Sequence, residues 1–202
     1  MPKELMNEAE RFLLEQWADA RLLEESMEGV RTKYKELFQR TVNAVTESHP
    51  ELNANAVYPT QFWGSGCVGF GRKSWPRGES DWPPGLWLWT LRLEKLTAED
   101  SEPPYASIWI PKKCNLDFAA ARIAVNGAAK EVLTPEELKD TESEDSGEHL
   151  LWLPVPSKRQ LLGALSEGDG EKFVELFVFQ FDLMARFVPV LDKVFRECMK
   201  SG

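Results

Sequence analysis

Apolar residues recur at three- and four-residue steps through the first quarter of the chain. Leu5, Met6, Ala9, Phe12, Leu13 and Trp17 share one helical stripe, which Leu23, Met27, Val30, Tyr34, Leu37, Phe38, Val42 and Val45 continue. That period matches the turn of an amphipathic helix. The spacing therefore predicts a helical arm over residues 4–45, either one long helix or a hairpin broken near Ala18-Asp19-Ala20. The steps from Leu23 to Leu37 are heptad-like, so pairing with another helix is open to this arm. His49-Pro50 closes it, because the residue before a proline is pushed out of helical geometry.

From Tyr58 the period changes to that of strands. Cys67–Trp75, Leu86–Leu93 and Tyr105–Ile110 are β-rich runs divided by loops dense in glycine, proline and acid at 76–85 and 97–104. Three neighbouring strands so connected predict an antiparallel meander. Asn115 is placed to cap a helix running past Phe118 and Ile123 to Gly127. The alanines at 119–121 favour that helix over a hairpin turning on Asn126-Gly127. Thr134-Pro135-Glu136-Glu137 reads as a capping box opening a short helix. Leu150–Val155 is a fourth strand, and Ser157 with Gln160 is a second capping box. Asp169 is positioned to cap a last helix, apolar almost all round and kinked at Pro189.

Four of the chain's eight tryptophans fall between Trp75 and Trp89. Alternation along a strand puts Trp87, Trp89, Leu91 and Leu93 on one side and Leu86, Leu88, Thr90, Arg92 and Glu94 on the other. The first set is uniformly apolar, so Trp87 and Trp89 are expected in the core, facing the helices. Trp75 and Trp82 flank a loop that cannot extend a central strand, among Arg72, Lys73 and Arg77. Large rings beside guanidinium groups on a loop are where partner contacts concentrate. Arg72, Lys73, Trp75, Arg77 and Trp82 are therefore the candidate ligand- or partner-binding residues. The competing structural role is that both rings fold back to cap the sheet, with Arg77 stacked on one of them.

The elements make an α+β fold: an antiparallel three- to four-stranded sheet packed by an N-terminal helical arm and C-terminal helices. Residues 1–49 form the arm and 50–202 the α+β domain, read together as one compact unit. With 202 residues, 43% of them hydrophobic, the chain can bury a sizeable core. Three widely spaced cysteines, Cys67, Cys114 and Cys198, form neither a disulfide framework nor a zinc motif and suit a reducing cytoplasm. The charged N-terminus lacks the apolar run of a secretory signal. Residues 173–195 carry too many charges to span a membrane.

The net charge of −9 is uneven. Lys+Arg against Asp+Glu is 7 to 11 over residues 1–57, 9 to 7 over 58–130 and 8 to 15 over 131–202, giving −4, +2 and −7. An acidic chain repels nucleic acid at long range, and only the middle section offers a basic face.

No motif completes a catalytic site. Gly64-Ser65-Gly66-Cys67-Val68-Gly69 matches Gly-x-Gly-x-x-Gly, but Arg72-Lys73-Ser74-Trp75-Pro76 follows instead of a helix, so the glycines read as strand positions lying against large rings. His49 and His149 have no companion ligands at metal spacing. The element order resembles the α-β-β-β-α-β core of the PD-(D/E)XK nuclease-like fold. That resemblance implies a carboxylate on the third strand, where Tyr105–Lys113 has none; Glu137-Leu138-Lys139 lies in the predicted short helix. No cofactor or metal is expected.

Two functions follow. The first is a non-catalytic binding or regulatory protein whose partner is another protein or a second copy met through the arm 4–45. The second is an enzyme acting on a phosphate-bearing ligand, possible as a degenerate nuclease-like fold, with Arg72, Lys73, Lys112 or Lys113 holding the anion and Glu79 or Asp81 as base.

Overall fold

The stripe of Leu23, Met27, Val30, Tyr34 and Leu37 winds along a single helix, α1 (Trp17–Ser48), which ends as expected just before His49-Pro50. The structure, a computed structural model, describes residues 8–10, 16–58, 66–76, 83–139, 141 and 148–198. The predicted contacts of Arg77 and Trp82 lie outside the described residues, as do Gly64, Ser65, Glu79 and Asp81. The chain divides into two compact units, residues 1–36 and 37–202. Among the described residues no helix is long and apolar enough to cross a membrane.

Within the larger unit the fold is α+β, as the element pattern predicts. Five strands, β1 (Asn53–Tyr58), β2 (Cys67–Gly71), β3 (Gly85–Trp89), β4 (Tyr105–Trp109) and β5 (His149–Leu153), lie in the order of the chain. Every neighbouring pair is antiparallel. The expected meander is therefore present, and β1 extends it by a strand that the sequence pattern did not signal.

The helices are α2 (Leu93–Thr97), α3 (Phe118–Val132), α4 (Pro135–Lys139), α5 (Lys158–Ser166), α6 (Glu171–Ala185) and α7 (Val188–Glu197). Both capping boxes form: Ser157 with Gln160, and Thr134 with Glu137, whose carboxylate accepts the Thr134 N–H at 2.7 Å.

Four boundaries differ from expectation. Asp117, and not Asn115, caps α3, accepting from the Ala120 N–H at 3.1 Å, while Asn115 sits in the left-handed region. The helix continues through Gly127 to Val132, because an exposed glycine in a helix costs only about 1 kcal/mol. The last apolar run is two helices. Pro189 falls in the first turn of α7, where its missing N–H had no helical partner to lose. The cap of α6 is Gly170, at φ 83°, and Asp169 serves from one position further out by accepting the Glu171 N–H.

The sheet's two faces reverse the expected roles. Register places Val68, Leu88, Ala106 and Leu153 in one row and Phe70, Leu86, Ile108 and Leu151 in the next, all on one face. Phe70 meets Phe181 of α6 edge-on at 4.5 Å, and Leu88 shares a small gap with Leu161, Phe177 and Gln180 of α5 and α6. The helices thus cover the leucine face. Trp87 and Trp89 point the other way.

The reason is that β3 stops at Trp89. Thr90, at φ 60°, takes the left-handed conformation, Leu91 turns back beside Leu88, and Leu93 opens α2. The polar residues Thr90, Arg92 and Glu94, which marked the leucine side as wet, are not part of the strand. Trp87 is nevertheless fully buried, as expected of a core residue, while Trp89 is half-buried.

What permits a large ring on that face is the glycine opposite it. Gly69 pairs with Trp87, and a Cβ on Gly69 would lie 2.4 Å from the indole ring. Trp87 packs against Trp89 at 5.3 Å and against Trp109 at 5.9 Å. Gly69→Ala should therefore destabilise the protein by about 1–3 kcal/mol, the usual cost of overpacking, and shift the near-ultraviolet dichroism of the tryptophans. A denaturation midpoint equal to wild type would refute this packing.

The Thr134 backbone N–H, followed by the Thr134 hydroxyl and the Arg186 guanidinium, holds the Glu137 carboxyl below the usual carboxylate range. A depressed carboxyl contributes stability above its unfolded-state pKa and loses it as the pH falls through the lower folded-state value. Glu137→Gln should lower the melting temperature at neutral pH, and the gap to wild type should close in acid. Thermal melts over that range check it.

Candidate functional site

The candidate site grows out of the end of β2. At Gly71 the chain leaves the sheet, and the Trp75 N–H donates to the Arg72 carbonyl at 3.1 Å, closing a tight turn with Lys73 and Ser74 exposed at its tip. The turn drives the Trp75 ring inward, to 3% exposure. There it lies 5.4 Å from Phe195, and its indole N–H donates to Asp192 Oδ1 at 2.7 Å. The other oxygen of the same carboxylate accepts from Arg72 Nη1. Asp192, Phe195 and Arg196 stand three and four residues apart on one face of α7, so one helical surface supplies acceptor, ring and cation.

Between these groups opens a groove of about 570 Å³, walled by Arg72, Ser74, Trp75, Asp192, Phe195 and Arg196. Arg72 and Asp192 largely cancel each other. Arg196 adds a cation beside apolar walls from Trp75 and Phe195, and Lys73 is exposed in the adjoining turn. Such a surface suits an acidic group carried on an apolar body.

Of the sequence-predicted residues, the structure brings together Arg72 and Trp75, with Lys73 beside them. The Trp75 ring is buried against α7 and held by a carboxylate, so it is not a surface ring. Asp192, Phe195 and Arg196 were missed because they lie on a helix read as apolar all round. Their Asp-x-x-Phe-Arg spacing was the available signal.

A second cluster occupies the aromatic face of the sheet. Trp89 Nε1 donates to Ser107 Oγ at 2.9 Å, and the same oxygen lies 2.9 Å from Nδ1 of His149. The His149 ring stacks on Trp152 at 4.3 Å, and Trp152 meets Tyr105 at 4.6 Å. A serine touching a histidine invites a catalytic reading, yet Ser107 is fully buried, and a nucleophile must reach its substrate. The pair instead gives partners to polar atoms in an aromatic layer.

The remaining motifs resolve structurally. The glycines of Gly66–Gly71 lie at and in β2, whose backbone pairs with strands on both sides. Burial pushes the Cys67 thiol up to about 12, and burial together with Glu148 pushes Cys114 up to about 11, so neither is a ready nucleophile. Lys112 and Lys113 are exposed in a short 3-10 turn. Among the described residues no group of three histidine, cysteine or acidic side chains is placed to hold a metal.

On the arm, the apolar stripe is uncovered. Trp17, Leu22, Leu23, Met27 and Val30 are all about half exposed or more, from 48% at Met27 to 64% at Leu22. The same stripe runs on through Tyr34, Leu37 and Thr41, all buried.

Comparison of the chain with family models, with curated proteins and with solved structures finds no match to any of them.

Asp192→Ala should cost about 2 kcal/mol, since it strands the Trp75 indole N–H and the Arg72 guanidinium in a half-buried site. Asp192→Asn, which keeps an acceptor for the indole, should cost less. Denaturant titration followed by tryptophan fluorescence checks both, and equal loss from the two variants would refute the division of labour between the carboxylate oxygens.

Proposed function

We propose that this chain is a non-catalytic binding or regulatory protein that meets a protein partner through its helical arm and through the exposed Lys73–Ser74 turn beside the groove that Arg72 and Trp75 wall. The observation that carries the reading is the run of large apolar side chains left open along α1, from Trp17 to Val30. Scattered surface leucines need no explanation, but a stripe at helical spacing is a recognition surface. The groove adds a cation, Arg196, beside apolar walls, and Arg77 directly follows its Pro76 in sequence with Trp82 five residues further on. Three unpaired cysteines fit action in the cytoplasm.

The alternative of chemistry on a phosphate-bearing ligand is weakened where it was strongest. Arg72 is engaged by Asp192, and the glycines sit at and in a paired strand.

Wild type, Met27→Glu/Val30→Glu and Lys73→Glu/Arg196→Glu chains, compared in chemical cross-linking and light scattering, test the reading. Association is expected for wild type and is expected to fall at least roughly tenfold in the arm variant, with melting temperatures unchanged. A wild-type chain that stays monomeric and cross-links to nothing would overturn it. A panel of nucleotides and nucleic acids should leave the melting temperature unmoved. A true ligand at a hundred times its dissociation constant would instead add about 2.7 kcal/mol.

A further inference from the structure

The exposed stripe Leu23, Met27 and Val30 is flanked by charges sorted along the helix. Asp19 and Glu24 lie beside its N-terminal end, Arg31 and Lys33 beside its C-terminal end. In heptad terms these four occupy the positions that border the apolar seam and reach across to a facing helix. Within the helix Arg31 also contacts Glu28 at 3.5 Å, and Arg21 bonds Glu25 at 3.0 Å, so the arm's own exposed pairs do not scramble this order.

From this pattern we infer that α1 pairs antiparallel with α1 of a second copy of this chain, crossing near Ser26 and Met27. The inference rests on the binding reading above and names its partner. Two-fold symmetry makes each contact occur twice. Antiparallel pairing sets Asp19 near the partner's Lys33 and Glu24 near the partner's Arg31, and Met27 packs near its own copy with Leu23 close to the partner's Val30. The midpoint between Asp19 and Lys33, that between Glu24 and Arg31 and that of the apolar stripe all fall at Ser26–Met27 or beside it. A helix bound by an unrelated partner has no reason for such self-complementarity. In-register parallel pairing would set Asp19 against the partner's Glu24, like charge on like, and would leave Arg31 and Lys33 without an acidic partner across the seam. The helix dipoles also oppose favourably only when the pair is antiparallel.

Charge reversal on the full chain tests this without fixing a register. Wild type should dimerise with concentration in sedimentation equilibrium, less so at high salt. Reversing the acidic end, Asp19→Lys/Glu24→Lys, should weaken the dimer at least roughly tenfold, as should reversing the basic end, Arg31→Glu/Lys33→Glu. All four substitutions together should restore wild-type affinity to within about threefold. Mixing the two half-reversed chains should give a heterodimer.

Far-ultraviolet dichroism confirms that each variant keeps its helix. A wild-type chain monomeric into the high-micromolar range, or a dimer indifferent to either half-reversal, overturns the inference. If wild type is monomeric but Met27→Glu abolishes binding to a different protein, self-pairing falls while the binding reading stands.

Discussion

The architecture of the sheet depends on a missing side chain. Opposite Trp87, the neighbouring strand carries Gly69, and the indole ring fills the space that any Cβ would occupy. Once that ring lies flat on bare backbone, Trp89 and Trp109 close around it, and Cys67 joins them in one buried cluster. The contact lets a sheet that already buries a leucine face against helices bury part of its second face as well. Antiparallel sheets commonly leave one face to water. This one is aromatic there, and Ser107 links Trp89 and His149 by hydrogen bonds within that layer.

The candidate groove depends on the same strand at its other end. As β2 leaves the sheet, the turn at Arg72–Trp75 is fixed by α7, which presents one carboxylate to two donors. A carboxylate accepting from an indole and a guanidinium together is a strong, directional anchor. It spends Arg72 and Trp75 on structure, while Lys73 stays exposed in the turn and Arg196 walls the groove. The arm poses the opposite situation, with Trp17, Leu22, Leu23, Met27 and Val30 all about half exposed or more.

Much of this was legible from pattern alone. The arm's helical period from Trp17 onward, its end at Pro50, the two capping boxes and the antiparallel meander all follow from local rules, because caps and turns are chosen by a few neighbouring residues, while Leu5, Met6, Phe12 and Leu13 of the same arm lie outside the described residues. The orientation of β3 was not legible. Both of its faces are apolar, and the polar residues that appeared to mark one of them belong beyond Thr90, whose left-handed backbone ends the strand without a glycine to announce it. Strand β1, Asn53–Tyr58, has too little hydrophobic alternation to stand out from a loop. At the site, Arg72 and Trp75 could be nominated because they are neighbours in sequence. Asp192 could not, since only the fold brings it to them.

That last distance bears on how the protein is made. The indole of Trp75 and the carboxylate that receives it are 117 residues apart along the chain. During synthesis the first strands leave the ribosome long before their anchor exists, and translation at roughly 5–20 residues per second leaves the turn unmoored for several seconds or more. The early hairpins must wait half-finished, with their leucine face bare until α6 emerges. Apolar surface left bare in this way favours aggregation, and the interval sets how long the nascent chain carries that risk.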